Sequence, residues 1–166
     1  MNNANVNLAL QFIGLVLVQV LVLNNINFAG YINHNLYAIF ILLFPIKNNR
    51  LLFLLISFFL GLCVDIFSDS GGINAAASVT IAFVRPVFLK FSFGMMYEYQ
   101  TLKFQNTEIV NRMIYFAMLI TLHHLVMFSL EVFNTTEILL ILKKTLFSST
   151  FTLILAIITT VLFTRK

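Results

Sequence analysis

Four polar groupings interrupt apolar stretches of this chain. Asp65 lies in LLFLLISFFLGLCVDIFS (51–68), and Arg85 with Pro86 lies in the run that begins at Ile73. His123 and His124 are adjacent, and Gln11 and Gln19 are eight residues apart. A charge in an apolar segment costs on the order of 3 kcal/mol on insertion scales, so it marks a function or a specific internal partner.

Asp65 precedes the turn Ser68-Asp69-Ser70-Gly71-Gly72. Its carboxylate can cap that turn by accepting backbone N–H bonds. It can equally anchor a partner or a neighbouring helix, or relay a proton. An Asp65–Arg85 ion pair does not fit. In an antiparallel hairpin turning near Ser70, Arg85 lies deeper by roughly 15 Å at 1.5 Å per residue. Arg85 is therefore expected to snorkel towards headgroups of the opposite leaflet. Pro86 removes a backbone donor and predicts a helix end or kink there.

The two histidines point about 100° apart on a helix. Met127 and Phe128 occupy the positions where a further ligand would complete a metal site. We expect inter-helix hydrogen bonds from both and no metal. Cys63 is the one cysteine, and its expected role is packing. No phosphate-binding glycine loop, zinc spacing or nucleophile elbow is present, which argues against an enzyme and against a cofactor.

These residues need elements to position them, and composition says which. The chain has 166 residues, of which 60% are hydrophobic and 10% charged. Soluble domains carry about 25% charged residues, so lipid must cover most of this surface. The net charge of +4 reflects basic residues scattered among loops and is no nucleic-acid signal.

The expected architecture is a single all-α polytopic domain with six transmembrane helices, or five. Candidate spans are 6–23, 51–68, 73–90, 113–133 and 145–163, with residues 31–46 as a marginal sixth or a re-entrant helix. Gln11 and Gln19 are expected near one face of the first span, towards other helices. Residues 24–35 read as a loop. The polar stretch 91–111, with Tyr97 and Tyr99, reads as an interfacial segment. Lys143-Lys144 is expected to divide the last apolar region into a short interfacial helix, 137–144, and the final span. Ala75, Ser78 and Ala82 share one small-residue face, which can pack internally or receive a partner's helix.

Eight of the ten basic residues fall on one side if the loop at 47–50, the region 85–112 and the C-terminus share a face. That bias places those loops and the C-terminus in the cytoplasm. Six spans place the N-terminus there too, and five place it outside.

A motif runs through the central hairpin: Gly61 and Asp65 within FLGLCVDIFS, ending at Ser68, then Gly71-Gly72-Ile73-Asn74-Ala75-Ala76-Ala77, then Ala82 to Arg85-Pro86. This hairpin resembles the rod-shape-determining membrane protein family MreD, in the form common among Bacteroidetes-like bacteria. The rest of the chain matches that family in hydropathy only. The resemblance implies a fold similar to the substrate-binding subunit of energy-coupling-factor vitamin transporters. It also implies a non-enzymatic scaffold of the bacterial inner membrane that binds MreC. Such proteins act with MreB, RodA and a class-B penicillin-binding transpeptidase in peptidoglycan synthesis and cell shape. The motif residues Gly61, Asp65, Ser68, Gly71, Gly72, Asn74, Ala75, Ala76, Arg85 and Pro86 would then form or support the partner interface. The alternative is a vitamin-binding transporter subunit. It needs a roomy pocket with convergent polar groups, for which Gln11, Gln19, Asp65 and His123 are the candidates.

Overall fold

Seven α-helices make up the computed structural model, which describes residues 3–25, 34–46, 49–98, 102, 104 and 107–164, excepting the side chains of 3–5, 98, 135 and 161–164. They are α1 (Asn3–Leu21), α2 (Ala38–Leu43), α3 (Arg50–Ser68), α4 (Ile73–Phe93), α5 (Met95–Glu98), α6 (Ile109–Val132) and α7 (Ile138–Thr164). Five of them are long and apolar enough to cross a membrane: α1, α3, α4, α6 and α7.

The expected sixth span is instead the six-residue α2. Tyr31 to Asn33, where that span would begin, lie outside the described residues. Its apolar composition does not put α2 against lipid. Residues 34–42 are all buried, while the long helices expose Leu17, Leu51, Phe59, Ile66, Phe83 and Val87. A helix that is apolar all round belongs inside the protein, and α2 packs in the interior against α1, α4 and α6.

Hydrogen bonds fix the direction of each element. Asn24 donates to Ser68 Oγ at 2.7 Å, which brings the C-terminal ends of α1 and α3 together. The chain must return between them, and residues 34–46 make that return through the interior. Tyr37 Oη meets Asn74 near the α3–α4 turn, whereas the Phe44 carbonyl meets Arg85 far from it. The bundle thus has an Asp65 end, with the turns after α3 and α6, and an Arg85 end.

Four expectations change in detail. Pro86 does not end its helix, since α4 runs through it to Phe93 and stops where Gly94 takes φ 49°. Lys143-Lys144 does not divide the last helix, because α7 is continuous from Ile138. Lys144 instead pairs with Glu131 of α6 at 2.8 Å, a contact that lets a lysine sit within an apolar helix. Gln19 is buried but Gln11 is exposed. Eight residues on a helix leave an offset of about 80°, enough to turn Gln11 off the packed face. Finally, the interfacial segment begins later than residue 91, as α4 includes Phe91 to Phe93 and α5 takes up Met95–Glu98. Lys47, Asn48, Tyr99, Lys103, Arg165 and Lys166 lie outside the described residues.

Candidate functional site

The α3–α4 turn is tight because its backbone can take left-handed geometry. Asp69 (φ 50°), Gly71 (φ 64°) and Gly72 (φ 92°) all have positive φ, which glycine adopts without a Cβ penalty. Gly72 is the N-cap of α4 and brings no side chain to cap it. Asp65 supplies the cap from across the hairpin. Its Oδ1 accepts from Ser70 Oγ at 2.5 Å, Asn74 N at 2.9 Å and Asn74 Nδ2 at 3.0 Å, and its Oδ2 accepts from Ala75 N at 2.8 Å. A carboxylate against the first N–H groups of a helix is favoured by both the hydrogen bonds and the macrodipole. Asp65 is 4% exposed, so it shapes the turn and does not face outward.

Gly61 explains how the two helices come this close. A Cβ there would lie 2.5 Å from both Ala75 Cα and Asn74 O. Backbone touches backbone, as small residues permit between membrane helices. The small-residue face is consumed in the same way. Ala75, Ser78 and Ala82 are buried inside the bundle and cannot receive a partner's helix. Ala76, by contrast, is exposed, and Ser68 is exposed with its hydroxyl held by Asn24.

From Asn74 the polar contacts continue inward. Tyr37 Oη donates to Asn74 Oδ1 at 2.9 Å and lies 2.9 Å from His123 Nε2. With the hydroxyl proton on Asn74, His123 donates through Nε2 and leaves Nδ1 as an acceptor with no partner among the described residues. His124 faces another way, as its position predicts. Its Nε2 lies 3.3 Å from Thr152 Oγ1 of α7, and its Nδ1 lies 2.9 Å from the Ile120 carbonyl. The two histidines thus connect α6 to α2 and to α7. Among the described residues, no group of three or more His, Cys, Asp or Glu side chains is placed to hold a metal ion.

Beside this turn, a cavity of about 820 Å³ opens at the Asp65 end. Gln19, Asn24, His34, Asn35, Asn74 and Glu131 are among its lining residues. Gln19 organises one wall, donating to Asn24 Oδ1 and the His34 carbonyl and accepting from Leu36 N. His34 Nδ1 has no partner among the described residues. Of the expected pocket residues, only Gln19 lines this cavity; Gln11 is on the outside, and Asp65 and His123 lie behind its wall. Asn24, His34 and Asn35 were missed because they sit in the stretch that reads as a loop. The available signal was the high density of amides there.

Arg85 and Pro86 lie away from this site, at the opposite end. Arg85 does not snorkel outward, since it is 3% exposed. Its Nε donates to Tyr115 Oη at 2.9 Å, and its Nη2 donates to the Leu42 and Phe44 carbonyls. Tyr115 Oη donates in turn to the Leu42 carbonyl at 3.0 Å. The Phe53 ring lies 5.1 Å from the guanidinium. The last carbonyls of α2 have no helical partners and carry the negative end of its dipole, so a guanidinium is drawn inward to them.

Fold and site together define an all-helical, multi-pass membrane protein with a polar cavity at one end. In comparisons with known proteins, no family model, no curated protein and no solved structure matches the chain.

Proposed function

We propose that this chain is a non-enzymatic scaffold of the bacterial inner membrane, of the MreD kind, that binds MreC and helps control cell shape and peptidoglycan synthesis. One observation carries this reading. Gly61, Asp65, Ser70, Asn74 and Ala75, dispersed over fifteen positions, close into a single hydrogen-bonded turn. Asp65 and Gly61 are positioning residues: they fix the rim on which exposed Ile66, Phe67, Gly71 and Ala76 stand. MreC docks on that rim, and MreB, RodA and a class-B penicillin-binding transpeptidase join through the assembly. The bias of basic residues puts the Arg85 end in the cytoplasm, with both termini, and the rim outside.

Gentle detergent purification from native membranes, with co-purifying proteins identified by mass spectrometry, tests this. MreC should be recovered with the native chain, and Asp65→Ala should weaken that recovery while membrane insertion stays intact. Unchanged recovery removes Asp65 as a positioning residue for the docking rim.

The cavity of about 820 Å³ favours one second reading, a substrate-binding subunit of an energy-coupling-factor vitamin transporter. Its volume and convergent amides suit a drug-sized polar ligand. Recovery of transporter ATPases with their coupling subunit, in place of MreC, selects that reading.

A further inference from the structure

At the Arg85 end, α3 and α4 enclose a second cavity of about 210 Å³ with the chain that follows α2. Its lining includes Pro45, Arg50, Phe53, Arg85, Pro86 and Tyr97. Two arginines therefore line one small volume. Arg85 reaches it from inside the bundle, with Nε and Nη2 already occupied by Tyr115, Leu42 and Phe44. Nη1 has no acceptor among the described residues, yet it is not a buried orphan. Arg50 reaches the cavity from the rim. It lies 5.0 Å from the Phe83 ring centroid and makes no hydrogen bond or ion pair among the described residues. Asp65, Asp69, Glu131 and Glu137 lie at or beyond the other end, whereas Glu98 follows Tyr97 at the end of α5 and Glu108 is the N-cap residue of α6 at this end.

The cavity also lies at the start of α3, where Asn49 Oδ1 accepts from Leu51 N. The positive end of that helix dipole adds to the two arginines. Apolar side chains flank the opening towards lipid: Leu51, Phe83 and Val87 are more than half exposed. Arginine's planar fork suits phosphate oxygens, and basic pockets between membrane helices take up lipid head groups.

We propose that this cavity binds a phosphate group through Arg50 and Arg85, and that the phosphate belongs to an anionic phospholipid whose acyl chains lie along Leu51, Phe83 and Val87. Arg85 holds the phosphate with the face left free by α2, and Arg50 closes over it from the rim. The proposal does not depend on what docks at the Asp65 end.

The test uses the full chain in a non-phosphorylated maltoside detergent, with thermal unfolding as the readout. Phosphatidylglycerol, diacylglycerol and inorganic phosphate are added separately at equal ionic strength. Phosphatidylglycerol should raise the unfolding temperature and diacylglycerol should not. Arg50→Gln should weaken the phosphatidylglycerol effect roughly tenfold in concentration, as expected for losing one charge-assisted contact. Arg50 is exposed, and among the described residues it makes no hydrogen bond or ion pair and only a contact with the exposed Phe83 ring, so this variant keeps the bundle intact. An Arg50-dependent shift with inorganic phosphate alone supports the phosphate site and makes a soluble anion its occupant. Equal shifts with phosphatidylglycerol and diacylglycerol, or equal responses of native chain and Arg50→Gln, overturn the proposal.

Discussion

Asp65 and Arg85 are both buried charges, and neither is in an ion pair among the described residues. They are held in opposite ways. Asp65 meets the positive N-terminal end of α4, and all its side-chain partners lie within ten residues of it. Arg85 meets the negative C-terminal end of α2, and its partners lie 30 to 43 residues away. A charge inside a lipid-covered bundle thus needs a helix end of the right polarity, and that end need not be close in sequence.

The comparison predicts that the long-range arrangement is the more costly to break. Arg85→Leu leaves the Phe44 carbonyl without its donor and strips Tyr115 of a bond, while Leu42 keeps Tyr115. Orphaned buried groups at 1–3 kcal/mol each imply a loss of roughly 3–5 kcal/mol. Denaturant unfolding of the purified chain in detergent measures it, and Arg85→Lys should recover less than half because an ammonium lacks the fork. Asp65→Ala comes next. It frees Asn74 N and Ala75 N at the start of α4, at about 2–3 kcal/mol in the same assay. Asp65→Asn keeps one acceptor and should cost less. If Asp65→Ala proves worse than Arg85→Leu, the local cap and not the α2 anchor holds the bundle.

Gly61→Ala tests packing at the Asp65 end without touching its hydrogen bonds. The added Cβ meets backbone atoms of Ala75 and Asn74 at 2.5 Å, and backbone cannot rotate away. Forcing the helices apart should cost about 1–3 kcal/mol. Gly14, inside α1 where a Cβ meets nothing within 4 Å, is the matched control, and Gly14→Ala should cost nothing and gain up to about 1 kcal/mol in helix propensity.

Locality also explains what sequence reasoning could reach. The cap on α4 was legible because Asp65, Ser70 and the two glycines form one continuous turn signal. The absence of an Asp65–Arg85 pair followed from rise per residue alone. Arg85 was misjudged because its acceptors are main-chain carbonyls of residues 42 and 44, and no sequence pattern announces a carbonyl. Lys144 was misjudged for a similar reason, as its partner Glu131 lies across the α6–α7 turn. Residues 34–46 were too short for a span and too apolar for a loop. Only the placement of the five long helices shows that this segment threads between them.

Tyr37 is where the two ends can be tested as one system. Its hydroxyl touches Asn74, which holds Asp65, and its chain continues into α2, whose last carbonyls hold Arg85. Tyr37→Phe removes one hydroxyl and keeps the ring, which packs edge-on to His123 at 5.5 Å. Asn74 Nδ2 keeps its bonds to Asp65 and Ser70, but Asn74 Oδ1 and His123 Nε2 lose the hydroxyl, so the cost should be about 1–2 kcal/mol, below that of Asp65→Ala. The informative quantity is its coupling to Asp65→Asn. Groups in one hydrogen-bond network couple by more than about 0.5 kcal/mol, whereas independent sites add. We expect coupling, because Asn74 spends its amide on both neighbours at once. Additive costs would confine the Asp65 end to its hairpin; coupling makes α2 a strut gripped at both ends, by Asn74 through Tyr37 and by Arg85 through its carbonyls.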